Sequence, residues 1–175
     1  MKAILVLICQ MVSVHLVGVP CGVPHFFALF FLFLTISCPV LADDTVVLRV
    51  PQTNFRAAHD GLIEAIESEG LVVGSVLPFR DMLQRTSPDA AAIPYGEAEI
   101  VQFCSSLLAA ELVRESPAQL SLCPMSVALY SLKGDTADIR LAYRSPGGAT
   151  AGRQRAEALL QRVTRRAAEL ARLRW

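Results

Sequence analysis

The sequence predicts an α+β fold, an antiparallel sheet with helices laid on one face in two layers. Two observations carry this. Short β-branched and apolar runs recur between residues 45 and 143, several of them ended by proline or glycine. Stretches with apolar residues at helical spacing lie between some of these runs and close the chain. Neighbouring runs joined by short turns pair antiparallel, because parallel neighbours need a long crossover.

Thr45 to Val50 reads as the first strand, closed by Pro51. Thr53 or Asn54 then offers an N-cap, and Phe55, Ala58, Leu62, Ala65 and Ile66 recur at helical spacing before Gly70. Gly61 weakens this helix by roughly 1 kcal/mol relative to alanine, so packing must hold it. Leu71 to Leu77 is the second strand and Pro78 ends it. Phe79 to Thr86 fits a short helix with Met82 and Leu83 turned inward, and residues 87–96, with two prolines and a glycine, read as a loop. Glu99 to Phe103 alternates as a third strand. After Cys104 a serine caps a helix whose apolar stripe is Leu107, Leu108 and Leu112. Met125 to Leu132, the turn Lys133-Gly134-Asp135 and Asp138 to Tyr143 form a hairpin. On its second strand Ile139, Leu141 and Tyr143 share one face, while Asp138, Arg140 and Ala142 share the other. Pro146-Gly147-Gly148 links to a long amphipathic helix over residues 152–175, its buried face formed by Ala156, Leu159, Leu160, Val163, Ala167, Leu170 and Ala171.

Charge divides the chain differently. Of the 175 residues, the first 42 carry one charged side chain, Lys2. Two apolar stretches, Ala3 to Val19 and Phe26 to Ser37, lead to Val40 and Ala42, and small residues there suit signal-peptidase cleavage before Asp43. The expectation is a signal peptide over residues 1–42 and an exported, periplasmic or secreted domain; the alternative is a retained membrane anchor. The second stretch is short against the roughly 20 residues a span needs. Membrane contact is otherwise not expected. The last helix holds seven Arg against two Glu, so it complements the acidic remainder of the domain and can dock on it or on a partner subunit. Beyond residue 42 the net charge is −1, which argues against nucleic acid as a partner.

Three stretches together resemble the domain of unknown function 302 family in its exported form. They are Phe55 through Gly70; Asp81-Met82-Leu83-Gln84-Arg85-Thr86; and Phe103-Cys104-Ser105-Ser106 with Leu122-Cys123-Pro124 and the strand running into Leu141-Ala142-Tyr143-Arg144. The resemblance covers residues 45–146, leaving the arginine-rich tail over 149–175 outside it. It implies a sheet with helices on one side, similar to TATA-binding-protein-like sandwiches, and homodimers among its members, with no assigned activity. This chain departs from the pattern at Met125, where an aromatic residue is expected, and lacks a histidine near Phe79, which puts in doubt any ligand-binding role resting on that histidine.

Beyond residue 42 the chain has one histidine, His59, and no HExxH, phosphate loop or CxxC, so no catalytic constellation is evident. His59 reads as a boundary residue or, alternatively, as a metal or haem ligand. Cys104 ends a strand and Cys123 precedes one, which brings both sulfurs to one end of the sheet if those strands are neighbours. Three readings stay open: a structural disulfide, a working thiol at a helix N-terminus carrying sulfur or electrons, and a soft copper site with Met82 or Met125. The sequence expectation is an exported binding or accessory domain with an unidentified small ligand or protein partner, no cofactor and a cysteine pair as staple. The alternatives are a thiol redox or sulfur-transfer protein using Cys104 and Cys123, and a copper or haem carrier.

Overall fold

The computed structural model describes residues 44–175; the expectations for the leader fall outside the described residues. The elements in chain order are β1 (Thr45–Pro51), α1 (Phe55–Ser68), β2 (Val72–Leu77), α2 (Phe79–Thr86), β3 (Tyr95–Cys104), α3 (Ser106–Glu115), β4 (Met125–Leu132), β5 (Asp135–Arg144) and α4 (Ala151–Leu173), with single 3-10 turns at Ala90–Ala92 and Pro117–Leu122. The five strands form one antiparallel sheet in the order β1-β5-β4-β3-β2. Strands β2 to β5 are a meander. β1 joins its far edge, and α1 carries the chain across one face from β1 to β2.

Alternation decides which face is covered. Val101, Phe103, Val127, Leu129, Ile139 and Leu141 point to one side and are at most 1% exposed. Helices α1 and α4 lie over them and contribute Leu62, Ile66, Leu160 and Val163 to the same core. All seven residues expected on the buried face of α4 are buried. Gly61 has a role that helix propensity hides. A Cβ there would stand 2.9 Å from the Ala167 carbonyl oxygen, so its absence lets α1 and α4 approach backbone to backbone.

Local chemistry starts the helices. The Asn54 side chain accepts from the Ala57 amide at 2.7 Å and is the cap of α1, leaving Thr53 buried with its hydroxyl toward the Ala171 carbonyl. Ser105 caps α3 and Thr150 caps α4. The Glu115 carboxylate, at the end of α3, accepts from the Gly152 amide at 2.7 Å and so also satisfies the start of α4. Arg162 pairs with Glu69, Arg155 with Glu111 and Arg174 with Glu64, so the arginine-rich helix docks on its own domain.

Two expectations need correction. β3 begins at Tyr95 and not at Glu99, because a register shift between Tyr95 and Ala98 interrupts the alternation that marks a strand. Leu107 does not belong to the buried stripe of α3: it is 85% exposed, and only Leu108 and Leu112 of that helix are buried. Among the described residues no helix is long and apolar enough to cross a membrane.

Candidate functional site

Three polar constellations stand out, and one of them carries reactive chemistry. At the start of β3, Tyr95 packs edge-on against Phe79 of α2 and Tyr130 of β4. The Arg140 guanidinium sits 6.0 Å from the Tyr130 ring centroid. Arg140 and Arg49 both pair with the buried Asp138 carboxylate. This ladder lies on the sheet face opposite α1 and α4, since Tyr130 and Arg140 alternate with the buried Leu129 and Leu141. Its charges are paired with one another, and it reads as structural.

The second constellation surrounds His59. Its Nδ1 lies 2.8 Å from Glu99 Oε2, both side chains being mostly buried, in a cleft also lined by Asn54, Arg56, Asp60 and Glu97. The sequence does not show this pairing, because 40 positions separate the partners and only the packing of α1 over β3 brings them together.

The third is the cysteine pair. Phe103 pairs with Met125 across β3 and β4, so the next residue of β3 and the residues just before β4 meet at the same end of the sheet. Cys104 is exposed there and Cys123 half-buried. They approach to 3.7 Å and remain two free thiols, with no bond joining them. Burial first, then hydrogen bonding and the charge of the neighbouring Cys104 sulfur, push the Cys123 thiol up to about 11. Cys123 also closes the Pro117–Leu122 turn, its amide donating to the Leu120 carbonyl at 3.1 Å. A cleft of about 480 Å³ opens beside it, lined on the way by Leu122, Pro124 and Met125.

Of the remaining expected ligands, Met82 and His59 belong to other parts of the fold. Met82 is on α2, whose Phe79 packs at the other end of β3 from Cys104. Met125 is 5% exposed and belongs to the core, where an aromatic residue was expected. His59 is engaged with Glu99. Among the described residues no three His, Cys, Asp or Glu side chains gather as a metal site. What the arrangement offers chemically is a dithiol: one sulfur open to solvent, the second held against it by the end of a turn.

The family of domains of unknown function DUF302 matches residues 46–172, a span that takes in most of α4 and so includes the arginine-rich helix that the sequence comparison left outside. No curated protein matches the chain. The crystal structure of an uncharacterized conserved DUF302 protein from Bacillus stearothermophilus superposes with a TM-score of 0.51 at 16% identity, over 75% of this chain and 98% of that one. At that identity the likeness speaks for the fold, the five-stranded antiparallel sheet with its packed helices. The match over more than two-thirds of the sequence goes further: the chain belongs to the DUF302 family.

Proposed function

We propose that this domain is an exported accessory protein that exchanges electrons through Cys104 and Cys123, passing between dithiol and disulfide. The observation that carries the proposal is the contact of two free thiols at 3.7 Å, one exposed and one half-buried. Export rests on the apolar leader and on Val40 and Ala42 before Asp43.

The chemistry runs in two steps. The exposed Cys104 thiolate attacks a partner disulfide, forms a mixed disulfide and releases one partner thiolate. Cys123 then gives up its proton and attacks the Cys104 sulfur, and the second partner thiolate leaves and is protonated. Two electrons pass from the pair to the partner, and two thiols become one disulfide on each turn. The order follows from exposure and from Cys123 holding its proton: only Cys104 meets a partner directly, and Cys123 resolves. A purely structural bond would use the same proximity, but the core of the domain closes around Phe103, Leu62 and Leu129 without it. Copper carriage would rest on the two sulfurs, with Met125, two residues past Cys123, as the remaining neighbour in the chain and His59 held by Glu99.

Titration in glutathione buffers, with alkylation and intact-mass analysis at each point, tests the proposal. A midpoint in the range of working couples, about −270 to −120 mV, is expected. A bond that persists below about −300 mV would make the pair a structural staple. A mass increment of one copper ion in the native protein, lost in Cys104→Ser, would make it a carrier.

A further inference from the structure

The cleft beside the dithiol points to the class of disulfide it meets, an inference that rests on the redox reading above. Its wall includes Ile100, Ser126, Ala128, Ala142 and Arg144, and strand register places all five on one face of the sheet. Ile100 pairs with Ala128 and Ala128 with Ala142, while Gln102 pairs with Ser126 two residues further along. Arg144 follows Ala142 by the same two residues on β5, so it stands level with Ser126. This is the face opposite α1 and α4, since these residues alternate with the buried Val101, Val127, Leu141 and Tyr143. Cys104 shares that face, two residues past Gln102 on β3. Two strand spacings across and two residues along put the Cα atoms of Cys104 and Arg144 about 12 Å apart. Three extended residues span about 10 Å, so a molecule of tripeptide size can touch the Cys104 sulfur and the end of the Arg144 side chain together.

The charges of this face are unevenly satisfied. Arg49 and Arg140 share the Asp138 carboxylate. Arg144 is exposed and has no ion-pair partner among the described residues, and the half-buried Ser126 beside it has no side-chain hydrogen bond among them. A guanidinium and a hydroxyl at the wall of a cleft of about 480 Å³ suit a carboxylate, which the planar guanidinium fork can grip through two hydrogen bonds. We infer that the dithiol exchanges with a low-molecular-weight disulfide that carries carboxylates, one of which Arg144 and Ser126 hold in the cleft. The Cys104 thiolate attacks the nearer sulfur of the held half, and the other half leaves as thiolate. Cys123 then attacks the Cys104 sulfur, and the held half leaves as thiolate and takes up a proton. Holding the disulfide in place raises the exchange rate by proximity and leaves the sulfur chemistry itself unchanged.

The test uses the reduced domain Asp43–Trp175, a compact unit with its own core. Its oxidants are glutathione disulfide, with carboxylates on both halves, and the neutral bis(hydroxyethyl) disulfide. Second-order rates of oxidation are followed by acid quench, alkylation and mass. Arg144→Gln should slow the reaction with glutathione disulfide about tenfold, the scale of one charge-assisted hydrogen bond, and leave the neutral disulfide unaffected. Each disulfide is compared with itself across variants, which removes the difference between their leaving thiols. Arg144→Gln should melt with the wild type, since the side chain it replaces is exposed. Arg56→Gln removes the same charge from an exposed position on α1 and should leave both rates alone. S-methylglutathione keeps the carboxylates and cannot exchange; it should shift the amide resonances of Ser126 and Ala142 in the wild type and not in Arg144→Gln. An unchanged glutathione rate in Arg144→Gln, an equal fall in Arg56→Gln, or no shift with S-methylglutathione would overturn the carboxylate site while leaving the dithiol reading intact. Failure of both disulfides to oxidise the pair would overturn the redox reading itself, and the exchange proposed here with it, even where S-methylglutathione binds.

Discussion

Oxidising the Cys104–Cys123 pair should stabilise the domain by an amount that loop closure sets. The bond would enclose roughly 20 residues, for which the chain-entropy argument gives about 3 kcal/mol at room temperature. The pair already lies 3.7 Å apart, within reach of closure. For a domain of this size the stabilisation corresponds to a rise in Tm of about 10 °C. The assay is thermal unfolding followed by circular dichroism in excess reductant and after oxidation by glutathione disulfide, with the bond verified by mass. Cys104→Ser should melt at one temperature under both conditions. The reduced protein carries a second signature. A thiol whose folded pKa is raised favours the folded state fully below the unfolded thiol range, near pH 8.5, and loses that contribution as pH climbs toward about 11. The oxidised protein has no such thiol, so the gap between the two melting curves should widen in alkali. An oxidised protein that melts at or below the reduced one would refute the reasoning about closure.

Three further outcomes test the architecture around the site. Gly61→Ala should destabilise by about 1–3 kcal/mol, although alanine is the better helix former, because its Cβ meets the α4 backbone; chemical denaturation reads this directly. Leu160→Asp places a charge where the native side chain is 3% exposed and should cost more than about 4 kcal/mol, so a variant that melts with the wild type would remove α4 from the core. Glu157 is pushed up by burial, but hydrogen bonds from Ser145, Tyr143 and Gln161 outweigh this and hold it below the usual carboxylate range. Its contribution is therefore present above the unfolded carboxylate range and lost as pH falls, and Glu157→Gln should differ from wild type at pH 7 but not in strong acid.

Much of the fold was legible in the sequence because local chemistry wrote it. Asn54 and Ser105 announce helix starts, Gly134 a hairpin, and alternation the faces of β4 and β5. The failures share a cause, which is dependence on a partner distant in the chain. The bulge ahead of Ala98 is defined against β4, so β3 reads short. Gly61 looks like a flaw in a helix until α4 is laid against it. The contact of Cys104 with Cys123 was legible, since each flanks a strand of one sheet. The setting of the pair was not. Leu107 was assigned to the core by its spacing, yet α3 buries only Leu108 and Leu112 and leaves Leu107 85% exposed.

The sheet order has a kinetic consequence. β1 pairs only with β5, and α1 packs chiefly on α4, so among the described residues the earliest strand and helix find their partners in the last ones. The meander β2 to β5 pairs each strand with its neighbour in the chain, while the outer seam must close a loop that spans nearly the whole domain. Folding should therefore be slow for a domain of this size, as expected when distant contacts dominate, and it should end with α4 in place. A nascent chain stopped before Ala151 can lay α1 on the sheet but lacks the helix that α1 packs on most, which makes the closing helix the step that commits the domain to its native state.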